Sequence, residues 1–389
     1  MKDIYREKRK LFYNSLLTKH YTNNHNNNIE FFLIVHVVPD MVEFISALNQ
    51  LGKVVHILAI PYSTDKSTYE YLLSSGYSID SPSLEQLLTP DQLSQQVDNK
   101  LSDKSKYIFI EVGGYLSRTI AYLPEIIRQN TLGIIEDTEA GHRAYEAIND
   151  DLPFPIYSVA RSDLKESEDM LIGIACINAL ENILREIGVL FYGQSVLIIG
   201  FGKIGKGIAK VIKRHHSANV MIHDQNPKQK ILALCEGYQI PSLDKSLHNS
   251  EVILGTTGNY SINSSNIDKI KPGSILVSCS SKQLEFDMDF IKKHFNQANI
   301  NNSIDKFWNK ETSFYIVGDG LPINFVEKKY LSSPIISLLH GETLLAVCNL
   351  IELNLPNSII EVNQTQKNQL CESWIEYFCD PETGRYKNV

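Results

Sequence analysis

A chain of 389 residues exceeds what one ordinary hydrophobic core organises, so two domains are expected. With 43% hydrophobic and 21% charged residues it has a globular composition, and its net charge of −8 excludes a general nucleic-acid or membrane-surface binder. The apolar run over 31–38 is far too short to cross a bilayer, the N-terminus has no apolar leader core, and the six cysteines lack C-x-x-C spacing, so the expectation is a cytoplasmic protein with reduced thiols and no metal site.

Residues 1–28 begin basic (Lys2, Arg6, Lys8, Arg9, Lys10) and end in an asparagine run, which predicts a surface helix followed by a flexible connector. From Ile29 the pattern alternates. Strands are expected over 31–37, 54–60, 107–112 and 132–136, with helices over 41–51 and 69–75. That alternation implies a parallel α/β sheet. A long apolar helix over 169–187 stops at Gly188, and a fresh α/β series starts with a strand over 195–199 and runs to about 325. A second apolar helix, over 334–353, reads as the return to the first domain, because two long helices flanking an inserted domain make a hinge pair.

The strand over 195–199 runs directly into Gly200-Phe201-Gly202-Lys203-Ile204-Gly205 and then a helical stretch. A lone G-x-G-x-x-G is weak; between a strand and a helix it is a dinucleotide fingerprint. Gly200 permits the turn, Gly202 lets the backbone approach a pyrophosphate, Gly205 lets helix and strand pack, and the helix start at Lys203 and Ile204 attracts the anion. The next strand, over 219–223, ends at Asp224, placed to bond the adenosine ribose hydroxyls and to repel a 2′-phosphate. NAD is therefore expected in preference to NADP, which the nearby Lys228 and Lys230 keep open. Thr256-Thr257-Gly258 closes a further strand at the same edge, and Asn324 follows the turn over 318–322.

These residues resemble the S-adenosylhomocysteine hydrolase family. Gly200 to Gly207 looks like its glycine loop with the trailing Lys-Gly; Asp224, Thr256-Thr257-Gly258 and Gly320–Asn324 match its later cofactor loops; Gly133 to Thr138 with Gly141 resembles its acid–threonine loop. Val35-His36, Ser63-Thr64 and Gly113-Gly114 fall in register as well. The resemblance implies an α/β fold in which a Rossmann NAD-binding domain is inserted into a discontinuous α/β substrate domain. The likeness covers roughly 29–350; with the arm over 1–28 it gives a substrate-like part over 29–187, the NAD domain over 188–332, and a hinge helix with tail over 333–389. It also implies a homodimer or homotetramer, a bound NAD that oxidises a ribose hydroxyl, His36, Asp137 and Asp169 as active-site residues, and Thr138 near the nicotinamide.

The departures bear on activity. Val112 stands where the family has an aspartate, Ser167 where it has the lysine that helps remove the hydroxyl proton, Met170 for an asparagine and Ser281 for a second histidine. The Gly-His-Pro of its adenine site is replaced by Leu331-Ser332-Ser333-Pro334, and of its threonine trio only Thr138 is left, before Glu139 and Ala140. A shift of register by two would put Lys165 in the lysine's place. On their own residues, His36 also reads as a structural histidine, Asp169 as a helix cap, and only one of Glu136 and Asp137 is expected to face a substrate. The expectation is an NAD-dependent enzyme that oxidises a secondary hydroxyl of a small, sugar- or nucleoside-like molecule and does not hydrolyse S-adenosylhomocysteine. The alternatives are a non-catalytic NAD-binding regulator and a true hydrolase with displaced residues. A 2-hydroxy-acid dehydrogenase ranks lower, since Lys282 lacks the bidentate fork of an arginine.

Overall fold

The computed structural model describes residues 5–22, 28–102, 104–215, 219–280, 283–326 and 334–387. The chain divides into two compact units, Met1–Lys165 with Ser332–Val389 and Glu166–Leu331. In chain order the strands are β1 Ile29–Val35, β2 Lys53–Ala59, β3 Ile79–Asp80, β4 Lys106–Glu111, β5 Thr131–Glu136, β6 Ile156–Ser158, β7 Ser195–Ile199, β8 Asn219–His223, β9 Val252–Gly255, β10 Ser274–Ser278, β11 Asn296–Asn301, β12 Ile304–Trp308, β13 Ser313–Val317 and β14 Ile359–Ile360.

The first unit holds a parallel sheet in the order β14-β6-β5-β4-β1-β2-β3. Every residue of β1 is buried, as a strand covered on both faces requires. Its side chains alternate: Phe31, Leu33 and Val35 join one apolar cluster, Phe32 and Ile34 the other. Chain order reverses between β1 and β4, so the carboxyl ends of those strands open the crevice where ligands of doubly wound sheets bind.

Two features of this unit differ from the sequence reading. The basic N-terminal segment is not a surface arm: helix Arg6–His20 buries Phe12, Tyr13, Leu16 and Leu17 in the core. Its Arg9 is buried as well, 3.3 Å from both Asp40 and Glu43, so the charge that read as exposed is neutralised inside the fold. The asparagines at 23, 24, 26 and 27 lie outside the described residues. Helix Pro334–Glu352 is, by length and composition, long and apolar enough to cross a membrane, which the sequence reading missed. Within this structure 83% of its apolar window is buried, and it serves as a central core helix of the unit.

The second unit begins inside helix Lys165–Glu186, so residues 166–187 group with the second sheet and not with the substrate-like part. Gly173 of that helix and Gly207 of helix Lys203–His215 allow the two to approach closely: a Cβ at Gly173 would meet the Gly207 backbone at 2.8 Å. The sheet runs β11-β12-β13-β10-β9-β7-β8, parallel from β8 to β13 and antiparallel across β11, β12 and β13. Its order reverses between β7 and β9, whose carboxyl ends carry the glycine turn and Thr256.

Candidate functional site

In the second unit the glycine turn is a closed piece of geometry. Gly200 has φ +101°, a backbone that favours glycine. A Cβ on Gly205 would run into the Gly200 carbonyl, whereas one on Gly202 would meet nothing within 4 Å. The first absence of a side chain serves packing; the second leaves an open approach to the backbone. Thr256 at the end of β9 ties the neighbouring loop to this turn, its hydroxyl donating to the Gly200 carbonyl at 2.8 Å. Asp224 sits at the end of β8, accepting from the Phe201 amide at 2.6 Å and the Asn226 amide at 2.7 Å. Those bonds fix the carboxylate beside the turn and leave lone pairs for ribose hydroxyls. Lys203 and Ile204 open helix Lys203–His215, whose N-terminus faces the turn. These features fit a dinucleotide: Gly202 would admit the pyrophosphate, and Asp224 would hold the ribose.

Four buried or half-buried groups meet at the carboxyl edge of the first unit's sheet. His36, just past β1, bonds the Ser63 hydroxyl through Nδ1 at 2.5 Å. Burial, with a smaller contribution from the Lys165 charge, lowers its pKa to about 4, so the ring is neutral at pH 7. Asp137, just past β5, pairs with Lys165, Oδ1 to Nζ 2.7 Å. Its neighbour Glu136 turns the other way and is fully buried, accepting from the amides of Gly113, Gly114 and Thr138 and from the Thr138 hydroxyl. Glu136 thus builds the loops and Asp137 faces the crevice edge. His142 and Arg143 are committed within the protein, His142 to Ser158 and Glu146, Arg143 to Glu139.

Residues 174–326 match the family described as S-adenosyl-L-homocysteine hydrolase, NAD binding domain. The match covers the second unit of the chain, which is similar to that domain. The second unit is thus an NAD-binding domain. The chain is 25% identical over 209 residues to an S-inosyl-L-homocysteine hydrolase of Methanopyrus kandleri, across 53% of this chain and 49% of that relative. The match therefore spans about half the length of that relative. Among solved structures, the comparison finds a dipicolinate synthase chain from Bacillus halodurans (10% identical, TM-score 0.45, covering 83% of this chain and 98% of that one). It also finds a dipicolinate synthase chain from Bacillus subtilis (12% identical, TM-score 0.43, covering 85% and 100%).

Set against the family pattern, the expected site residues fall into two groups. Gly200, Gly202, Lys203, Ile204, Gly205, Asp224, Thr256, Thr257 and Gly258 gather at one sheet edge of the NAD domain, and Asn324 stands in the one-turn helix Ile323–Val326 of the same unit. His36 and Asp137 gather in the first unit. Asp169 falls in the other unit. It belongs to the NAD domain, in the second turn of helix Lys165–Glu186 and not at its cap, with its carboxylate 3.9 Å from Lys203. Thr138 belongs to the first unit, where it caps helix Glu139–Glu146 by accepting from the Gly141 amide at 3.1 Å. Ser281 and Leu331–Ser333 lie outside the described residues. Lys165, two residues before the position that the simplest family register assigns, is the lysine that the structure puts on Asp137.

Sequence reasoning missed Glu285. Its carboxylate is fully buried and collects the Gly258 amide at 2.6 Å, the Thr257 hydroxyl at 3.0 Å and the Ser261 hydroxyl. Burial raises its pKa while these donors pull it down. The signal was faint: one acid among several polar residues just before a helix. Glu285→Ala strands several buried donors, so a loss of about 2–4 kcal/mol is expected in chemical denaturation, with weakened NAD binding.

A second missed acid is Glu342, wholly buried on helix Pro334–Glu352. Burial raises its pKa to about 7, against smaller downward pulls from Ser162, Lys367 and Lys165. A carboxyl whose folded pKa lies above its unfolded value contributes stability fully present below about pH 4.5. That stability is lost as pH rises through 7, by roughly 3 kcal/mol in all. Denaturation curves at about pH 5 and about pH 8 should show this loss in the native chain and lack it in Glu342→Gln.

Proposed function

We propose that the protein is an NAD-dependent enzyme that oxidises a secondary hydroxyl of a neutral, sugar- or nucleoside-like substrate, and that it does not hydrolyse S-adenosylhomocysteine. The observation that carries this reading is the Lys165–Asp137 pair, 2.7 Å apart beside a neutral His36 at the carboxyl edge of a doubly wound sheet.

Oxidation of an alcohol removes a hydride from carbon and a proton from oxygen. NAD, when bound, supplies the hydride acceptor. Lys165, as the neutral amine, is the group that takes the hydroxyl proton, and Asp137 orients it and balances the ammonium that results. His36, with Nδ1 held by Ser63, is a neutral ring that orients groups at this edge. The lysine that is missing at Ser167 is thereby supplied from two positions earlier.

The charge of this edge supports a neutral substrate. Arg143 and Arg161, which follow the same loops, are both bonded to Glu139, and Arg161 also to Glu146. A 2-hydroxy acid would need a guanidinium fork of its own. The likeness to an S-inosyl-L-homocysteine hydrolase makes nucleosides and nucleoside thioethers the first compounds to test. Valine at 112, in place of the family's aspartate, supplies no base for an elimination step. The family likeness extends the proposal to a homodimer or homotetramer.

The test is to mix purified protein and NAD with inosine, adenosine or S-adenosylhomocysteine, following NADH by absorbance and thiol release with a thiol reagent. NADH formed with a nucleoside, without thiol from S-adenosylhomocysteine, is the expected result. Thiol release would favour the true hydrolase. No NADH from any alcohol would favour the NAD-binding regulator.

A further inference from the structure

Helix Lys203–His215 starts at the glycine turn and ends in a cluster of cations. Ile208, Ala209, Val211 and Ile212 pack into the apolar core, while Lys203, Lys206, Lys210, Lys213 and Arg214 recur at the helical spacing of one outer face, and the helix holds no acid. Such a basic stripe stands out in a chain of net charge −8. Its first members are committed: Lys203 lies 3.9 Å from Asp169, and Lys206 lies 5.8 Å from the centre of the Phe201 ring. Its last three line a groove of about 280 Å³ together with Glu236 and Tyr238. Lys213 is held in place, donating to the Glu236 carbonyl at 2.7 Å and lying 4.8 Å from the centre of the Tyr238 ring. Tyr238 is 6% exposed and packs edge-on against Phe201, so the groove has a fixed aromatic wall. Among the described residues Lys210 and Arg214 pair with no carboxylate. The carboxyl end of a helix favours a cation. Here three cations face one carboxylate, which leaves two positive charges unanswered, and like charges four residues apart repel.

We propose that this groove is a second anion site of the NAD domain, for a small molecule that bears a phosphate. Arg214 offers a guanidinium fork, and Lys210 and Lys213 offer point charges, a donor set that suits a tetrahedral dianion. The volume lies at the small end of ligand pockets, enough for a phosphate with a short polar remainder. Glu236 opposes any anion bound here, so its carboxylate limits the affinity. The groove is separate from the cofactor turn. At about 1.5 Å per residue, Lys210 and Arg214 stand roughly 10 and 16 Å along the helix from Lys203, towards its carboxyl end, whereas the glycine turn lies at its start. A nucleic-acid strand fits less well, because two unpaired cations on one helix of an acidic chain cannot track a run of phosphates.

The test uses the full chain saturated with NAD, so that the cofactor site is closed to the probe. Glycerol 3-phosphate is titrated calorimetrically at fixed ionic strength, with glycerol as the uncharged comparison. Glycerol 3-phosphate should bind with a Kd of about 1 mM or below, and glycerol should not bind. The double variant Lys210→Gln with Arg214→Gln should weaken binding at least about tenfold and leave NAD affinity unchanged, because both side chains are exposed and far from the turn. Glu236→Gln removes the opposing charge and should tighten binding by about threefold. No binding to the native chain, or equal binding in the double variant, overturns the proposal. Should the double variant lose NAD as well, Glu236→Gln decides, and an affinity that is unchanged or weaker there overturns it. A short oligoribonucleotide is titrated in parallel. If it binds tightly where glycerol 3-phosphate does not, the patch is a polyanion surface and the small-molecule site is overturned. None of these results depends on the chemistry proposed for the first unit.

Discussion

Lys165→Met is expected to slow NAD reduction by a nucleoside roughly 10²- to 10⁴-fold while leaving NAD affinity within about twofold. Methionine keeps the length and apolar stem of lysine and removes the amine, so the partly buried site stays filled and the loss reports proton transfer. The Lys165–Asp137 bond makes a second variant informative. Asp137→Asn keeps the hydrogen bond but not the charge, so kcat should fall less than for Lys165→Met and KM should change little. Ser167→Lys puts a lysine where the simplest register of the family pattern wants one. On the proposed role of Lys165 it should bring no gain. Stopped-flow absorbance of NADH under single-turnover conditions separates these effects from product release. Equal rates in Lys165→Met and the native chain would remove Lys165 from the mechanism.

Two glycine substitutions within the same turn should separate cofactor binding from packing. Gly202→Ala adds a methyl to open space, so the apo protein should keep its stability within about 0.5 kcal/mol. The same methyl stands where a pyrophosphate must approach the backbone, so NAD binding should weaken about tenfold or more. Gly205→Ala drives its methyl into the Gly200 carbonyl and to 2.9 Å from the Thr256 hydroxyl. Helix and strand must then part, with an expected cost of roughly 2–4 kcal/mol even without NAD. Denaturant melts and calorimetric titration with NAD read the two quantities. A Gly202→Ala protein that binds NAD as the native chain does would show that the cofactor does not lie over this turn.

The NAD domain was legible because its signals are local. A strand, a glycine turn and a helix start follow one another without a break, and β7 and β8 were placed at the residues where they occur. The first unit's central strands were legible from their apolar runs, to within a couple of residues at each end. What failed was non-local. Arg9 reads as a surface charge until Asp40 and Glu43 are seen to meet it. The strands β11 to β13 have mixed polar composition and no clean period, because they extend the sheet's edge with antiparallel pairs half open to solvent. Lys165 was obscured by a two-residue ambiguity at a helix start, and its pairing with Asp137, 28 residues away in the chain, is not visible in sequence. Glu285 and Glu342 were passed over for a common reason. Neither belongs to a motif, and the importance of each lies in which donors or charges surround it in space.

The most direct measurement of the central claim is the redox state of the nucleotide that the protein carries. The protein, purified without added cofactor, would be denatured before and after incubation with inosine, and the released NAD and NADH quantified by mass spectrometry together with any ketone formed from the nucleoside. The account predicts stoichiometric nucleotide and an NADH fraction that rises on incubation with inosine in the native chain but not in Lys165→Met. Nucleotide that stays fully oxidised with inosine and with every other neutral alcohol tried would contradict it.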